Sequence, residues 1–415
     1  MAQPVNKKRS VTITGMGCIS AAGRNVEEHF YAIEQGVRNC QQVPAWLFNT
    51  QQAYPVYPAS QEALTEIGHK LLDTVGAGVS THSLGRTALL MLSAVAEAMD
   101  MAGLTIKDLQ KKRVGVAMGT TVGCAFNNED YYKSFRQGDH PGLNPVIDYL
   151  NGNLAYLLQN ILGTRGPSLV VTNACASGTD AIGIAGDWIS SDLCDVAIAG
   201  GADELSRIAY NGFISLQLTD LLPCRPFDRD RQGLNLGEGA GIVFLEKGED
   251  VVRRRIFPLG WLLGYGICAD AWHPTAPHPE GQGLLRAVTL AAERAGTGLA
   301  FDLINAHGTA TRANDIAETN ALAAFLVGHE KTPIISTKGI TGHTLGAAGG
   351  IETILTLSAL RRGSTWGTAG CVNIDPDFRI APQNQSQKIE LSGKIGLSES
   401  LAFGGGNSAL ILEAC

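Results

Sequence analysis

The sequence lacks the signatures of several protein classes. It has no Cys-x-x-Cys pair and no group of cysteines and histidines at zinc-ligand spacing, which excludes the common structural zinc sites. It has no run of about 18 apolar residues that would span a membrane, and its polar N-terminal segment contains no apolar signal-peptide core. With a formal net charge of −7, it has no overall basic field that would attract nucleic acid.

The cysteines point to the cellular compartment. There are nine of them, an odd number, and they are scattered along the chain as in proteins of a reducing environment. Cys18, Cys194, Cys224 and Cys371 are predicted to be small apolar fillers of the core. Together with the absences above, this predicts a soluble cytoplasmic protein.

Small and apolar residues dominate the chain. Its 415 residues are 45% hydrophobic and 17% charged and include 50 glycines, which predicts a large core built from two or more packed units. Short apolar runs predict strands at 11–14, 114–118, 167–172, 196–199, 241–245, 303–306 and 333–336. Helical periodicity at 87–101, 176–189 and 351–362 completes an alternating pattern that predicts an α/β architecture. A charged stretch at 248–258 divides the chain into units at 1–250 and 251–415.

Cys175 occupies the most informative position. It follows the apolar run at 167–172, which is predicted to be a buried strand, and it directly precedes a predicted helix. The first backbone N–H groups of a helix carry partial positive charge, which favours thiolate over thiol and makes the residue a candidate nucleophile. The alternative is an inert cysteine of the core, which is the commoner environment for a free cysteine.

A second group of candidate residues follows two other predicted strands. His307 comes at the end of the strand at 303–306, and Lys338 and His343 follow the strand at 333–336. Ligands of open α/β sheets gather outside the carboxyl ends of strands, so we expect these residues to share one cleft with Cys175. A histidine among glycines is more often a turn or core residue, but three such strand ends together favour a site.

Ordered motifs along nearly the whole chain carry a resemblance to a known family. They are Val-Thr-Ile-Thr-Gly-Met-Gly at 11–17, Gly-Pro-Ser at 166–168, the Cys175 turn, Ala-Gly-Gly-Ala-Asp-Glu at 199–204, Arg-Pro-Phe-Asp at 225–228, Leu-Gly-Glu-Gly-Ala-Gly at 236–241, Asp-Ala-Trp-His at 270–273, the two histidine motifs, and Phe-Gly-Gly-Gly-Asn at 403–407. The chain resembles the β-ketoacyl-acyl-carrier-protein synthases, the elongating condensing enzymes of fatty acid and polyketide synthesis. The resemblance implies a thiolase fold, in which two similar halves form five α-β-α-β-α layers and two chains form a dimer.

The resemblance also implies a reaction and roles for the candidate residues. Cys175 would take an acyl group from a carrier-protein thioester. His307 and His343 would act as neutral hydrogen-bond donors that stabilise the enolate left when malonyl-carrier protein loses carbon dioxide. Lys338 would keep both imidazoles neutral by its charge, and Glu352 would anchor Lys338. The alternative for Glu352 is an ordinary first-turn glutamate at a helix N-terminus.

Further positions match the family's substrate contacts. The backbone N–H groups of Cys175 and Phe403 would form the oxyanion hole, and the Phe403 ring would gate the acyl pocket. Thr309 and Thr311 match positions that bind the phosphopantetheine arm, although they could instead satisfy local backbone groups in a turn. Val122 matches a position that lines the acyl tunnel. No metal or cofactor is expected, since the phosphopantetheine arrives on the acyl carrier protein.

Several positions depart from the family pattern. Ala402 and Gly406 replace a glycine and a threonine of the gating loop, which puts ordinary gating in doubt. Trp272 stands where tyrosine is usual, and the segment 216–225 is short. These departures suggest a specialised pathway, making a polyketide or an aryl polyene, rather than the housekeeping one.

Two other functions remain open at this stage, and a third fits the residues less well. A non-catalytic chain-length subunit of a synthase heterodimer would lack the nucleophile, whereas this chain has Cys175 and both histidines, although it could still require such a partner. A degradative thiolase would use a second cysteine near the C-terminus, and Cys415 lacks the Gly-rich context for that role. A synthase that starts chains from acyl-CoA would have a histidine and an asparagine in place of the two histidines.

Overall fold

The computed structural model describes residues 10–45, 47, 52–62, 64, 84–123, 129–151, 153–296 and 298–415. Within these ranges the strands are β1 (Val11–Ser20), β2 (Val114–Gly119), β3 (Ser168–Val171), β4 (Val196–Asp203), β5 (Gly239–Lys247), β6 (Gly260–Ala269), β7 (Leu303–Asn305), β8 (Ile334–Ile335), β9 (Ser364–Trp366), β10 (Lys388–Glu390), β11 (Ile395–Leu401) and β12 (Gly406–Ala414). The helices are α1 (Val26–Gln35), α2 (Arg86–Met101), α3 (Ile106–Leu109), α4 (Glu129–Arg136), α5 (Asn144–Asn151), α6 (Leu154–Leu162), α7 (Ser177–Ser190), α8 (Arg207–Ser215), α9 (Gly248–Arg254), α10 (Gln282–Ala295), α11 (Arg312–Phe325), α12 (Lys338–Thr341) and α13 (Ala348–Arg362). None of these helices combines the length and the apolar character needed to cross a membrane.

The main sheet contains a structural repeat. Its ten strands run in the order β3-β2-β4-β5-β1-β6-β12-β11-β7-β8. In the first half β2 is parallel to β3 and β4, while β5 is antiparallel to β4 and β1. The second half repeats this pattern outward from β6, with β7 parallel to β8 and β11 and with β12 antiparallel to β11 and β6. The halves join where Thr12 and Ile13 of β1 pair with β6.

Helices form three layers around the two half-sheets. Helix α7 packs on β2 and β4 and also reaches β6 and β12, and α13 likewise contacts β5 of one half and β11 of the other. These two helices therefore lie between the half-sheets. Helices α2 and α6 cover the outside of the first half, and α10, with α11 beside it, covers the outside of the second. The predicted five-layer α-β-α-β-α fold is confirmed, whereas the boundary at residue 250 stays a prediction.

The two central helices approach each other closely because glycines line their contact. A Cβ atom on Gly178 would lie 2.6 Å from the carbonyl oxygen of Gly346, and one on Gly349 would lie 2.0 Å from Thr179 Oγ1. Side chains at these positions would push α7 and α13 apart. The contact brings together the N-terminal ends of the two helices. Cys175 lies just before α7, and His343 lies just before α13.

Two strand predictions differ from the structure. The run at 167–172 is not a buried strand, because β3 is at the edge of the sheet and Leu169 is 39% exposed. An apolar run does not by itself show whether a strand lies inside a sheet or at its edge. Strand β1 extends to Ser20, well past the predicted residue 14, because Gly15 and Gly17 pack directly against the backbone of α2.

His29 is a buried histidine on which stability depends at acidic pH. Its Nε2 lies 2.7 Å from Ser20 Oγ and its Nδ1 lies 2.7 Å from the carbonyl oxygen of Asn25. Burial lowers the pKa of His29 from 6.5 to about 4. The unfolded chain therefore binds this proton at a higher pH than the folded chain, so the stabilising effect is complete above pH 6.5 and is lost as the pH falls towards 4.

We expect the unfolding free energy of the native protein to fall by about 3 kcal/mol more than that of His29→Gln between pH 7 and pH 4. Urea unfolding at a series of pH values measures both proteins. Parallel pH profiles would show that His29 is not responsible for the acid sensitivity.

Candidate active site

A strained turn presents Cys175. Between β3 and α7, a single 3-10 turn spans Ala174–Ala176, and Ala174 has φ +42°, in the left-handed region that non-glycine residues rarely adopt. The Ser177 hydroxyl holds this turn, since it accepts a hydrogen bond from the Asn173 N–H (2.8 Å) and donates one to the Ala174 carbonyl (2.6 Å). The strand, turn and helix lie where the sequence predicts them.

The structure brings Cys175, His307 and His343 together. His343 Nε2 lies 3.0 Å from Cys175 Sγ, and the two imidazole rings are nearly perpendicular with centroids 5.1 Å apart. All three side chains are buried. They come from both halves of the fold and meet where the carboxyl ends of β3, β7 and β8 face the central helices.

The neighbours of each imidazole fix its tautomer. Lys338 Nζ lies 3.1 Å from His307 Nδ1 and also donates to the His307 carbonyl. The backbone N–H of Leu345 donates to His343 Nδ1 over 3.3 Å. Because both Nδ1 atoms accept hydrogen bonds, the neutral rings carry their protons on Nε2. Each histidine therefore presents an Nε2–H donor to the site.

Burial and charge keep the two imidazoles neutral. Burial lowers the pKa of His307 and of His343 well below 6.5, and the nearby charge of Lys338 lowers both further. Lys338 is itself fully buried and forms an ion pair with Glu352. Glu352 lies beyond the first turn of α13, so the alternative of a first-turn glutamate is wrong.

Burial acts on the Cys175 thiol in the direction opposite to a helix N-terminus. Burial raises the pKa of the Cys175 thiol to about 12, although Lys338 and the Phe403 N–H act in the opposite direction. The position at a helix N-terminus alone predicts a thiolate, but it ignores the loss of solvation in a closed site. Burial therefore favours the thiol over the thiolate at Cys175.

An aromatic pair closes one side of the site. The Phe403 ring stacks on Phe213 with centroids 5.2 Å apart, and Phe213 in turn meets His343 edge-on at 6.4 Å. The Phe403 backbone N–H acts to lower the pKa of the Cys175 thiol, against the effect of burial. Sequence reasoning missed Phe213, because a phenylalanine on the apolar face of α8 is indistinguishable from an ordinary core residue.

The loop after Phe403 is a tight glycine turn. Gly404 and Gly405 have φ values of +86° and +79°, which other residues rarely adopt. The turn is closed by a hydrogen bond from the Ala402 N–H to the Gly406 carbonyl (2.7 Å). A Cβ atom on Gly406 would lie 2.7 Å from Asn173 Oδ1, which is a physical reason for glycine at 406.

The remaining predicted contacts are divided between the cavity and its surroundings. Thr309 and Thr311 line a cavity of about 190 Å³ together with Cys175 and both histidines, and their hydroxyls also bond to each other over 2.9 Å. Val122 is not among the described residues that line this cavity. Its backbone N–H donates to Asp203 Oδ1. Trp272 is 59% exposed and packs edge-on against His278.

Within the described ranges, Cys175, His307 and His343 also form a group of side chains that could together ligate a metal ion. The sulfur of Cys175 and the ring nitrogens of His307 and His343 lie within 4.8 Å of one another. The Lys338 ammonium beside them disfavours a cation at this position, because like charges repel strongly where solvent is excluded.

Comparisons with known proteins give a consistent result. Residues 8–251 match the family model described as beta-ketoacyl synthase, N-terminal domain, and residues 259–371 match the corresponding C-terminal domain. A 3-oxoacyl-[acyl-carrier-protein] synthase 2 from a Synechocystis strain is 31% identical over 427 residues, covering 98% of each chain.

Two solved structures are similar over nearly the whole chain. The structure described as the ishigamide ketosynthase/chain length factor has a TM-score of 0.87 and 30% identity, covering 98% of this chain and 99% of that one. The ketosynthase ApeO, solved in complex with its chain length factor ApeC from Xenorhabdus doucetiae, has a TM-score of 0.81 and 28% identity, covering 100% of both chains.

Proposed function

Because the chain belongs to the β-ketoacyl synthase family, we propose that Cys175 carries the growing acyl group and that His307 and His343 stabilise the enolate. The reaction is the decarboxylative Claisen condensation of an enzyme-bound acyl group with malonyl-acyl-carrier protein. It yields a β-ketoacyl-carrier protein and carbon dioxide, so the enzyme is an acyltransferase.

In the acylation step, the Cys175 sulfur attacks the carbonyl carbon of an acyl-carrier thioester. The thiol proton leaves with the attack and ends on the sulfur of the departing phosphopantetheine. The His343 Nε2–H, 3.0 Å from the sulfur, stabilises the negative charge that develops there. The backbone N–H groups of Cys175 and Phe403 receive the oxyanion of the tetrahedral intermediate.

In the decarboxylation step, the bond between the malonyl carboxylate and the methylene carbon breaks. Carbon dioxide leaves, and the electron pair moves into an enolate whose charge is on the thioester oxygen. The Nε2–H groups of His307 and His343 donate to this oxygen. Lys338 maintains the required tautomer of His307 by donating to its Nδ1.

In the condensation step, the enolate carbon attacks the acyl carbonyl on Cys175. The same oxyanion hole receives the negative charge, and the Cys175 sulfur leaves as the new carbon–carbon bond forms. Thr309 and Thr311 line the cavity where the phosphopantetheine arm would enter. The proposed steps need no metal and no cofactor besides the arm carried by the carrier protein.

The observation that carries this proposal is the pair of Nε2–H donors beside one cysteine, with each Nδ1 occupied by a donor. The direct test supplies an acyl-carrier protein and malonyl-carrier protein and measures carbon dioxide and β-ketoacyl product together. We expect equal amounts of both. Cleavage of a β-ketoacyl thioester by free thiol, without any malonyl-dependent product, would support the degradative thiolase instead.

We also propose that this chain pairs with itself or with a related chain-length subunit through the β3 edge. No strand in the described ranges pairs with the outer edge of β3, and Leu169 on β3 and Tyr156 on the adjacent α6 are exposed. An unpaired apolar edge is unfavourable in water and readily accepts another chain. The ApeO–ApeC complex is an example of a ketosynthase with such a partner.

If β3 is the interface, Leu169→Asp will convert the dimer to a monomer, because a buried unpaired charge is strongly unfavourable. Native mass spectrometry measures the assembly for this variant and for Val327→Asp, which alters an exposed apolar residue elsewhere. An unchanged dimer in Leu169→Asp would place the interface on another face. Repeating the measurement with candidate paralogues distinguishes a homodimer from a heterodimer.

The pathway and location complete the proposal. Similarity to the ishigamide ketosynthase/chain length factor, together with the departures at Trp272, Ala402 and Gly406, supports a specialised polyketide or aryl-polyene pathway. Equally fast turnover of long saturated and of polyene acyl-carrier substrates would contradict it.

A cytoplasmic location is supported by the cysteines that the structure describes, all of which are free thiols.

A further inference from the structure

A buried aspartate beside the Cys175 turn joins three elements of the fold. Asp180 is 2% exposed and lies in the first turn of α7. Its Oδ2 accepts a hydrogen bond from Asn173 Nδ2 over 2.7 Å. Its Oδ1 accepts one from the Tyr265 hydroxyl on β6 over 3.0 Å and another from the Ser408 hydroxyl on β12. Asp180 therefore ties the segment that leads into Cys175 to both β6 and β12.

A glycine of α7 makes room for this arrangement. A Cβ atom on Gly183 would lie 2.3 Å from the Tyr265 ring, so only the absence of a side chain lets the ring lie across the helix with its hydroxyl at Asp180. A buried carboxyl without partners is strongly unfavourable, whereas one with three donors holds each of them in place. The position of the Asn173 amide is thus fixed by Asp180.

The Asn173 amide lies directly against Gly406. This glycine is the first residue of β12, and a Cβ atom on it would lie 2.7 Å from Asn173 Oδ1, 2.9 Å from Nδ2 and 3.1 Å from Cγ. Its φ is not in the left-handed region, so the backbone conformation does not require glycine there. The contact with the amide does.

Gly406 and Ala402 form the base of the loop that carries Phe403. The Ala402 N–H donates to the Gly406 carbonyl over 2.7 Å, and the Gly405 N–H donates to the Ala402 carbonyl over 3.0 Å. A shift of Gly406 would therefore move Ala402 and, with it, the Phe403 N–H. That group is one of the two donors of the proposed oxyanion hole, where small displacements are costly.

We propose that Asn173, held by Asp180, is a positioning residue that sets the place of the Phe403 N–H relative to Cys175. The inference rests on the proposed function, because the oxyanion hole serves the acylation step. Asn173 lies two residues before Cys175 and contacts the base of the loop, so one side chain links the segments that supply the two donors. The histidine donors to the enolate come from other segments. Disturbing Asn173 should therefore slow acylation and leave malonyl decarboxylation nearly unchanged.

Two single substitutions and their combination test the contact between Asn173 and Gly406. Gly406→Ala places a methyl group against the amide, so acylation of Cys175, followed by rapid quench and intact mass, should slow by roughly tenfold or more. Asn173→Ala removes the amide and should slow acylation by roughly fivefold or more. In the double variant the methyl group occupies the vacated space, so acylation should be no slower than in Gly406→Ala alone. Losses that multiply in the double variant would overturn the proposal.

Carbon dioxide release from malonyl-carrier protein, measured without an acyl donor, distinguishes positioning from general damage. It should stay within roughly threefold of the native rate in all three variants, because the donors on His307 and His343 remain. Equal losses of acylation and decarboxylation would mean that the substitutions disturb the whole site, and the proposal would be wrong.

Matched substitutions test the part of Asp180. Asp180→Asn keeps an acceptor for Asn173, and its new N–H groups face hydroxyls that can accept, so acylation should stay within roughly threefold of the native rate. Asp180→Leu leaves the Asn173 amide unheld and should slow acylation by roughly tenfold. Tyr265→Phe is the control, since it removes a donor to Asp180 but leaves Asn173 in place, and acylation should stay near the native rate. A loss in Tyr265→Phe as large as that in Asn173→Ala would contradict the proposal.

The native protein, assayed in parallel, separates the inference from the proposed function. If it forms no acyl adduct on Cys175, either alone or with a partner subunit, the proposed function fails. If it forms the adduct and Asn173→Ala and Gly406→Ala form it at the native rate, only the inference about Asn173 fails. The Asn173 and Gly406 variants decide the question even if Asp180→Leu does not fold.

Discussion

Cys175→Gln is expected to abolish condensation while malonyl decarboxylation continues at the native rate or faster. The substitution removes the sulfur that carries the acyl group, so the β-ketoacyl product should fall by roughly a thousandfold or more. The two Nε2–H donors on His307 and His343 remain, and the glutamine amide resembles an acylated cysteine in having a carbonyl near the oxyanion hole. Carbon dioxide release from malonyl-carrier protein, measured without any acyl donor, tests this uncoupling.

Cys175→Ala is the matched control for that measurement. It also removes the nucleophile, but it does not place a carbonyl in the oxyanion hole. Condensation should be lost in both variants, and decarboxylation should be higher in the glutamine variant. Equal loss of decarboxylation and condensation in Cys175→Gln, with the fold intact, would mean that Cys175 participates directly in forming the enolate.

His307→Ala is expected to impair malonyl decarboxylation much more than acylation of Cys175. It removes one of two donors to the enolate oxygen, and loss of a donor of this type lowers a rate by roughly 100- to 1,000-fold. His307 has no hydrogen bond to Cys175 in the structure, so acylation should fall by roughly tenfold or less. Rapid-quench measurement of acyl-enzyme formation and of carbon dioxide release gives the two rates separately.

His343→Ala provides the comparison, because His343 contacts Cys175 Sγ directly. This variant should lower both half-reactions, since the same Nε2–H serves the thiolate and the enolate. The two histidine variants therefore differ in acylation and agree in decarboxylation. Equal losses of both half-reactions in His307→Ala would contradict the assignment of His307 to the enolate alone.

The sequence was sufficient to predict the fold class and the convergence of the site. Cys175, His307 and His343 each follow a short apolar run and precede small residues, which led us to expect one shared cleft. The structure brings them together by a different route, because β3 belongs to one half of the fold and β7 and β8 belong to the other. The repeat of strand order is visible in the structure, where the strands have the same order and directions outward from β1 and outward from β6. The sequence analysis did not identify this repeat, because it depends on backbone pairing between distant segments.

Other features were beyond the reach of sequence patterns, for physical reasons. The pKa of Cys175 depends on burial, which no local motif reports and which acts against the effect of a helix N-terminus. The edge position of β3 depends on sheet order. Phe213 contacts Phe403, which is distant in the chain, and no local motif marks Phe213 as part of the site.

Intact-mass spectrometry of the protein after incubation with a panel of acyl-carrier thioesters tests the central claim most directly. We predict an acyl adduct that forms on the native protein, or on its complex with a partner subunit, and is absent from Cys175→Ala. The preferred adduct would also identify the acyl chain. If no adduct forms on the native protein, either alone or with candidate partner subunits, Cys175 is not an acyl carrier and the chain is a non-catalytic subunit.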